Sequence, residues 1–84
     1  MTKYIDPENQ RYQFMVLDTL NGYSLQVLVV STGDIAALTP QVASQLNVTL
    51  PENYRLQCCT RNAAEKELSR VAQLNGWTQL SNTP

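Results

Sequence analysis

The feature that most constrains this chain is a pair of apolar segments, residues 12–19 and 23–30, that meet at Asn21-Gly22. Both segments are rich in Val, Leu, Tyr and Phe, the residue types that favour strands. Asn-Gly between two such segments is a strong hairpin signal, because Asn tolerates a positive φ and Gly adopts one without steric cost. We therefore predict an antiparallel hairpin whose type I′ turn is formed by Asn21-Gly22.

Both predicted strands are apolar on both of their faces. In the first strand Phe14 and Val16 share one face and alternate with apolar residues on the other, since side chains point to opposite sides in turn. Such strands are typical of a sheet that is covered on both sides. Either the helices share one face and leave apolar residues exposed, or another chain covers them. The candidate contact residues on that side are Met15, Leu17, Leu28 and Val30.

The first helix has two possible starts in the sequence. Asp34 could cap a helix that begins at Ile35, or Thr39 could cap one with Pro40 at its first position. We favour the second start, because Pro40 inside a longer helix would clash with the carbonyl of Ala36. Asn47 is a suitable left-handed terminator for this helix.

The second helix follows a predicted third strand at residues 54–59. Asn62 is its predicted cap, with Glu65 reaching back as in a capping box, and Gly76 is its predicted end. Trp77 would then lie at a surface helix end, and residues 77–80 would add a short edge strand. The predicted buried stripe consists of Ala64, Leu68, Val71 and Ala72.

These elements define an α+β domain of order ββαβα, either ending there or followed by a short final strand. We expect a three- or four-stranded antiparallel or mixed sheet packed by two helices, in a single domain over residues 11–80. Residues 1–10 are expected to form an irregular lead-in and residues 81–84 a frayed tail. The order of the first four elements resembles the β-grasp fold of ubiquitin, and other strand orders with both helices on one face are the alternative.

Composition argues against catalysis. The chain has no histidine, which removes Ser–His and Cys–His nucleophilic pairs and every histidine-containing zinc site. Its six basic and seven acidic residues are dispersed, whereas binding to a nucleic-acid backbone needs a denser basic surface. We expect no enzymatic activity, no cofactor and no metal, and nucleic acid is an unlikely partner.

The N-terminal residues lack the apolar segment of a signal peptide, and no run of about 18 apolar residues could span a membrane. The expectation is a cytoplasmic protein with no membrane partner. Cys58-Cys59 is the only thiol chemistry available. On a strand the two side chains point to opposite faces, so one is expected to be buried and the other exposed.

Several large or charged side chains are candidates for contact with a partner. Lys66 and Arg70 lie on the predicted outer face of the second helix, with Arg61 just before it. This face could dock an acidic partner, or it could be an ordinary solvated face that is offset by Glu65 and Glu67. Trp77 is a further candidate, because tryptophan is enriched at interface hot spots.

The sequence from residue 67 to residue 77 resembles the closing helix of small phycobilisome linker modules, which carries an E-[ML]-x-R-[IV]-x-x-L-G-G pattern. Asn75 stands where the pattern has its first glycine, and the segment after Gly76 is a poor copy of the apolar strand that follows in the family. The resemblance implies a protein-binding adaptor in a light-harvesting assembly. The matching residues are Glu67, Leu68, Arg70, Val71, Leu74 and Gly76.

The sequence therefore favours a small, non-catalytic, intracellular module that acts as an adaptor or regulator by binding another protein, with self-association through the sheet as one form of this. A small-molecule or nucleotide-responsive sensor, a light-harvesting linker and a thiol-redox protein using Cys58 or Cys59 are the alternatives. No Cys-x-x-Cys spacing supports the redox function.

Overall fold

The structure, a computed structural model, describes residues 2–80 and contains six β-strands and two α-helices within them. The elements are β1 Lys3–Asp6, β2 Asn9–Thr19, β3 Gly22–Val29, β4 Ile35–Ala37, α1 Pro40–Gln45, β5 Gln57–Cys58, α2 Arg61–Asn75 and β6 Thr78–Leu80. The strands form one sheet in the order β4-β3-β2-β1-β6, and β5 also pairs with β3. Every pairing is antiparallel. The α+β class is confirmed, but the number of strands and their order differ from the predicted ββαβα.

The N-terminal segment is part of the sheet and not the irregular lead-in that we expected. β1 pairs with β2 on one side and with β6 on the other, so it is an interior strand. A turn follows β1, and in it the Glu8 amide donates to Asp6 Oδ1 at 2.9 Å. β1 was missed because a four-residue strand is too short to show a pattern. The predicted tail, residues 81–84, lies outside the described residues.

Two other strands differ from the sequence prediction. β4 was not predicted, because its three residues Ile35–Ala37 show no alternation of apolar and polar side chains. The predicted strand over residues 54–59 is reduced to Gln57–Cys58. Just before it, the Leu56 carbonyl accepts a hydrogen bond from the Leu25 amide at 3.0 Å, so this segment still provides a backbone partner for the edge of β3.

The hairpin forms, but its turn lies one residue earlier than predicted. Thr19 pairs with Gly22, so the two turn residues are Leu20 and Asn21. Neither of them has a positive φ, which excludes a type I′ turn, whereas Gly22 has φ +128°. A Cβ atom at Gly22 would also lie 2.5 Å from the carbonyl oxygen of Cys58. Gly22 is therefore required by its backbone angle and by the close approach of β5.

The core occupies one side of the sheet only. Phe14 pairs with Val27 and Val16 with Leu25, and antiparallel partners place their side chains on the same face. The predicted stripe of α2 packs on this face together with Ala43 of α1, so both helices cover the same side. The buried core cluster consists of Phe14, Val16, Leu25, Val27, Leu38, Ala43, Cys58, Ala64, Leu68, Val71, Ala72 and Trp77.

The predicted helix ends are confirmed at three of four positions. Thr39 caps α1, with its Oγ1 accepting from the Val42 amide at 3.1 Å, and Asn47 beyond the helix has φ 58°. Gly76 ends α2 in a left-handed conformation. The predicted cap of α2 at Asn62 is wrong, because Thr60 follows β5 in an extended conformation and accepts from the Ala63 amide at 3.1 Å.

Replacement of Gly22 by alanine tests whether β5 constrains the hairpin. Gly22→Ala is expected to lower the free energy of unfolding by about 2–3 kcal/mol, since it adds a steric clash to an unfavourable φ. Gly33→Ala is the matched control, because Gly33 has φ +78° but open space around its Cα. We expect the control to cost about 1 kcal/mol in urea denaturation. Equal losses in the two variants would show that the contact with Cys58 does not matter.

Candidate functional site

The side of the sheet opposite the helices is covered by no element of residues 2–80, and we name it the open face. Met15 pairs with Lys3 and with Gln26, and Leu17 pairs with Ser24. These positions alternate with the core residues of β2 and therefore point away from the helices. The open face is thus a property of the register, which sends every second residue of the long strands to the uncovered side.

Apolar side chains share the open face with uncharged polar ones, since Leu28 pairs with Gln13, Met15 with Gln26 and Leu17 with Ser24. Met15 lies at its centre and is only 4% exposed, although it is separate from the core cluster. Leu17 and Leu28 are half-buried, while Val30 and Ile35 at the margin are 49% and 52% exposed. The four residues predicted as contacts on this side, Met15, Leu17, Leu28 and Val30, therefore do share one surface. The further apolar residues of this face are Ile5, Ile35, Ala37 and Leu80.

The charged side chains at strand positions of the open face are basic. Lys3 lies opposite Met15, and Arg11 lies beside Val30, whose amide donates to the Arg11 carbonyl at 2.9 Å. Glu8, in the turn between β1 and β2, borders the same end of the surface as Arg11. The open face therefore carries apolar and uncharged polar side chains, with Lys3 and Arg11 as its charged strand residues.

Arg61, a predicted partner contact, is engaged within the fold. Its Nη2 atom lies 2.7 Å from Asp18 Oδ1, and its Nη1 atom lies 3.8 Å from Glu65 Oε2. Its guanidinium group also lies 5.1 Å from the centre of the Tyr23 ring, a cation–π distance. Arg61 thus ties the start of α2 to the hairpin.

Lys66 and Arg70, the other two predicted basic contacts, lie together in a groove between α2 and the segment before β5. We name it the α2 groove, and its volume is about 380 Å³. Lys66 and Arg70 belong to its helical wall, and Arg55 belongs to the opposite wall. The lining residues are Glu52, Asn53, Arg55, Cys58, Ala63, Lys66, Glu67 and Arg70.

Glu67 holds the two walls of the α2 groove together. Its side chain is 5% exposed, with Oε2 accepting from the Arg55 amide at 2.9 Å and Oε1 accepting from Arg70 Nη1 at 2.6 Å. Arg70 Nη2 also donates to the Glu52 carbonyl at 3.3 Å. The role of Glu67 was missed, because we assigned this carboxylate to a solvated face. Its spacing gave a usable signal, since it lies three residues after Ala64 and four before Val71, on the buried side of α2.

Trp77 is buried and does not lie at the surface as expected. Its ring is 8% exposed and stacks on Phe14 at a centroid distance of 3.8 Å and an interplanar angle of 11°. The prediction failed because the left-handed Gly76 redirects the chain toward β1. The Trp77 amide donates back to the Ala72 carbonyl at 2.9 Å, which closes the C-terminal end of α2.

The two cysteines divide as predicted, with Cys58 buried and Cys59 exposed. Burial raises the pKa of the Cys58 thiol, and the nearby Glu67 carboxylate raises it further. A raised pKa keeps the thiol protonated at neutral pH and lowers its reactivity. Within residues 2–80, no group of three or more His, Cys, Asp or Glu side chains is placed to hold a metal ion.

Comparison of the chain with protein-family models, with curated proteins and with solved structures gave no significant match. In the described part of the chain, no helix has both the length and the apolar character needed to cross a membrane. Function must therefore be argued from the two surfaces, the open face and the α2 groove.

Removal of the Glu67 carboxylate tests its role between the groove walls. Glu67→Ala is expected to lower the free energy of unfolding by about 2–3 kcal/mol, because the Arg55 amide and Arg70 lose their acceptor. Glu52→Ala is the matched control, because Arg70 contacts only the backbone of this exposed residue. We expect that control to change stability by less than about 0.5 kcal/mol in urea denaturation. A small effect of Glu67→Ala would contradict the assigned role.

Tyr54 makes the stability of the fold sensitive to alkaline pH. Its hydroxyl donates to the Leu38 carbonyl at 2.7 Å, and burial raises its pKa well above the ordinary value, with smaller contributions from Glu67 and Cys58. The folded protein therefore holds this proton more tightly than the unfolded chain does. Its contribution to stability is complete below about pH 10 and is lost as the pH rises above that value.

Urea denaturation between neutral pH and pH 11 measures this effect. We expect Tyr54→Phe to lose about 1 kcal/mol at neutral pH, because the hydrogen bond to Leu38 is absent. The decline of stability above about pH 10 should be less steep in this variant than in the unchanged protein. Parallel declines in the two proteins would show that Tyr54 does not cause the alkaline sensitivity.

Proposed function

We propose that this protein is a non-catalytic protein-binding module whose contact surface is the open face. The observation that carries this proposal is a group of apolar side chains, among them Leu28, Val30 and Ile35, that share the uncovered side of a sheet whose other side is filled by its own core. Grouped apolar side chains at a surface mark interaction sites, and here Val30 and Ile35 are 49% and 52% exposed. The proposal agrees with the lack of histidine, which removes most of the acid–base chemistry available to an enzyme.

The backbone of the open face suits it for binding. β2 pairs with β3 over eight residue pairs from Tyr12 to Thr19, and β1 pairs with β2 on its other side. Side chains such as Leu17 and Leu28 are therefore presented from hydrogen-bonded interior strands and not from loops. A surface that is already ordered loses less conformational entropy when a partner binds.

The charges of the open face indicate an acidic partner that is a different protein. Lys3 and Arg11 are the charged side chains at its strand positions, with Glu8 bordering one end. Two copies of this chain meeting face to face would bring these basic groups together, which is unfavourable. A partner that presents both apolar side chains and carboxylates is complementary, so we favour such a partner over self-association.

Site-specific photo-crosslinking tests the proposed surface. A photoreactive amino acid is placed at Ile35 on the open face or at Leu74 on α2, residues that are 52% and 50% exposed in the monomer. Crosslinking in native cells followed by mass spectrometry should yield one acidic protein from position 35 only. Adding Leu28→Glu should reduce that adduct by at least about tenfold, since it places a charge in an apolar contact.

Three results would contradict the proposal. Equal adducts from positions 35 and 74 would show that the open face is not the preferred surface. An adduct with twice the mass of the chain would show that the partner is a second copy of this chain and not a different, acidic protein. An unchanged adduct yield after Leu28→Glu, with the fold verified by circular dichroism, would show that the apolar residues around Leu28 do not contact the partner.

A further inference from the structure

The α2 groove holds more positive charge than its own carboxylates neutralise. Glu67 is paired with Arg70, and among residues 2–80 neither Arg55 nor Lys66 forms an ion pair. Both side chains belong to exposed residues, and Glu52 at the rim is exposed as well. Three basic groups therefore line the α2 groove, whereas Glu67, one of its two carboxylates, is already paired with Arg70.

The basic residues of the groove lie on its two walls. Lys66 and Arg70 are four residues apart on α2, so they lie on the same side of successive helical turns. Arg55 is held against the helix from the other wall, because its amide donates to Glu67 at 2.9 Å. The basic groups thus come from two segments that a part-buried hydrogen bond joins, and they line one cavity.

We propose that the α2 groove binds a small organic phosphate, with Arg55 and Lys66 as the principal ligands of the phosphate group. Arginine and lysine form strong charge-assisted hydrogen bonds to phosphate oxygens. The cavity of about 380 Å³ falls at the lower end of the range for small-molecule sites and leaves room for more than a bare phosphate ion. Asn53 and Ala63 line the remaining space, which suits a compact organic group.

Arg70 and Glu67 act as positioning residues in this site. The Nη1 and Nη2 atoms of Arg70 already donate hydrogen bonds to Glu67 and to the Glu52 carbonyl. Arg70 therefore attracts the phosphate through its positive charge more than through direct hydrogen bonds. Glu67 accepts hydrogen bonds from both walls, and its ion pair with Arg70 offsets its repulsion of an incoming anion. This inference does not rest on the proposed function, because the groove lies on the helix side of the sheet, away from the open face.

Nuclear magnetic resonance titration of the full chain tests the site. Phenyl phosphate is added at constant ionic strength, with chloride as the reference anion and inorganic phosphate and a phosphoserine peptide in separate arms. Saturable shifts of the Arg55 and Lys66 amides are expected with phenyl phosphate. The double variant Arg55→Gln/Lys66→Gln should weaken binding by at least about tenfold, because two charge-assisted contacts are lost.

The matched control is Lys3→Gln/Arg11→Gln, which removes the same amount of charge from the open face. It should leave the affinity unchanged within about twofold, because these charges lie on the other side of the sheet and salt screens them. Equal weakening in both double variants would reduce the effect to non-specific electrostatics and overturn the proposal. If inorganic phosphate bound as tightly as phenyl phosphate, the groove would not recognise the organic group. If only the phosphoserine peptide bound, the ligand would be a phosphorylated protein and not a small molecule.

Discussion

The stacking of Trp77 on Phe14 is the contact on which the rest of the architecture depends. Phe14 lies on the covered face of β2, and Trp77 reaches it only because Gly76 ends α2 in a left-handed conformation. The same change of direction lays β6 alongside β1. β1 thereby becomes an interior strand, which extends the sheet and brings Lys3 and Ile5 onto the open face. The contact between Trp77 and Phe14 thus closes the core, and it also helps to place β1 and β6 in the sheet, which enlarges the open face.

A second constraint is the small number of helical residues that can cover the sheet. α1 has six residues and α2 has fifteen, and both pack on the same side. The strands nevertheless carry apolar residues on both faces, so the far side lacks a covering layer among the described residues. Because two short helices cover only one side of the sheet, the apolar residues on its other side remain without a covering layer among residues 2–80.

Sequence reasoning succeeded where local chemistry decides the structure. Thr39 with Pro40, Asn47 and Gly76 all act at the helix ends as predicted, because capping depends on a few neighbouring residues. It failed where distant parts of the chain decide. β1 and β4 exist because neighbouring strands pair with them, Gly22 is constrained by Cys58, and Trp77 is buried by a partner 63 positions earlier in the chain. For the α2 groove, the grouping of Lys66 with Arg70 followed from helical spacing, whereas Arg55 joins them only through the buried Glu67.

The alternation along β2 also has an evolutionary consequence. Even-numbered positions such as Phe14 and Val16 are held by α2 and Trp77, whereas odd-numbered positions such as Met15 and Leu17 face away from the core. If the open face binds a partner, selection acts on the two sets for different reasons, stability for one and recognition for the other. In a lineage that loses the partner, the odd positions would drift toward polar residues while the even ones stay apolar. A two-residue period in substitution rate along this strand would then record the history of the interaction.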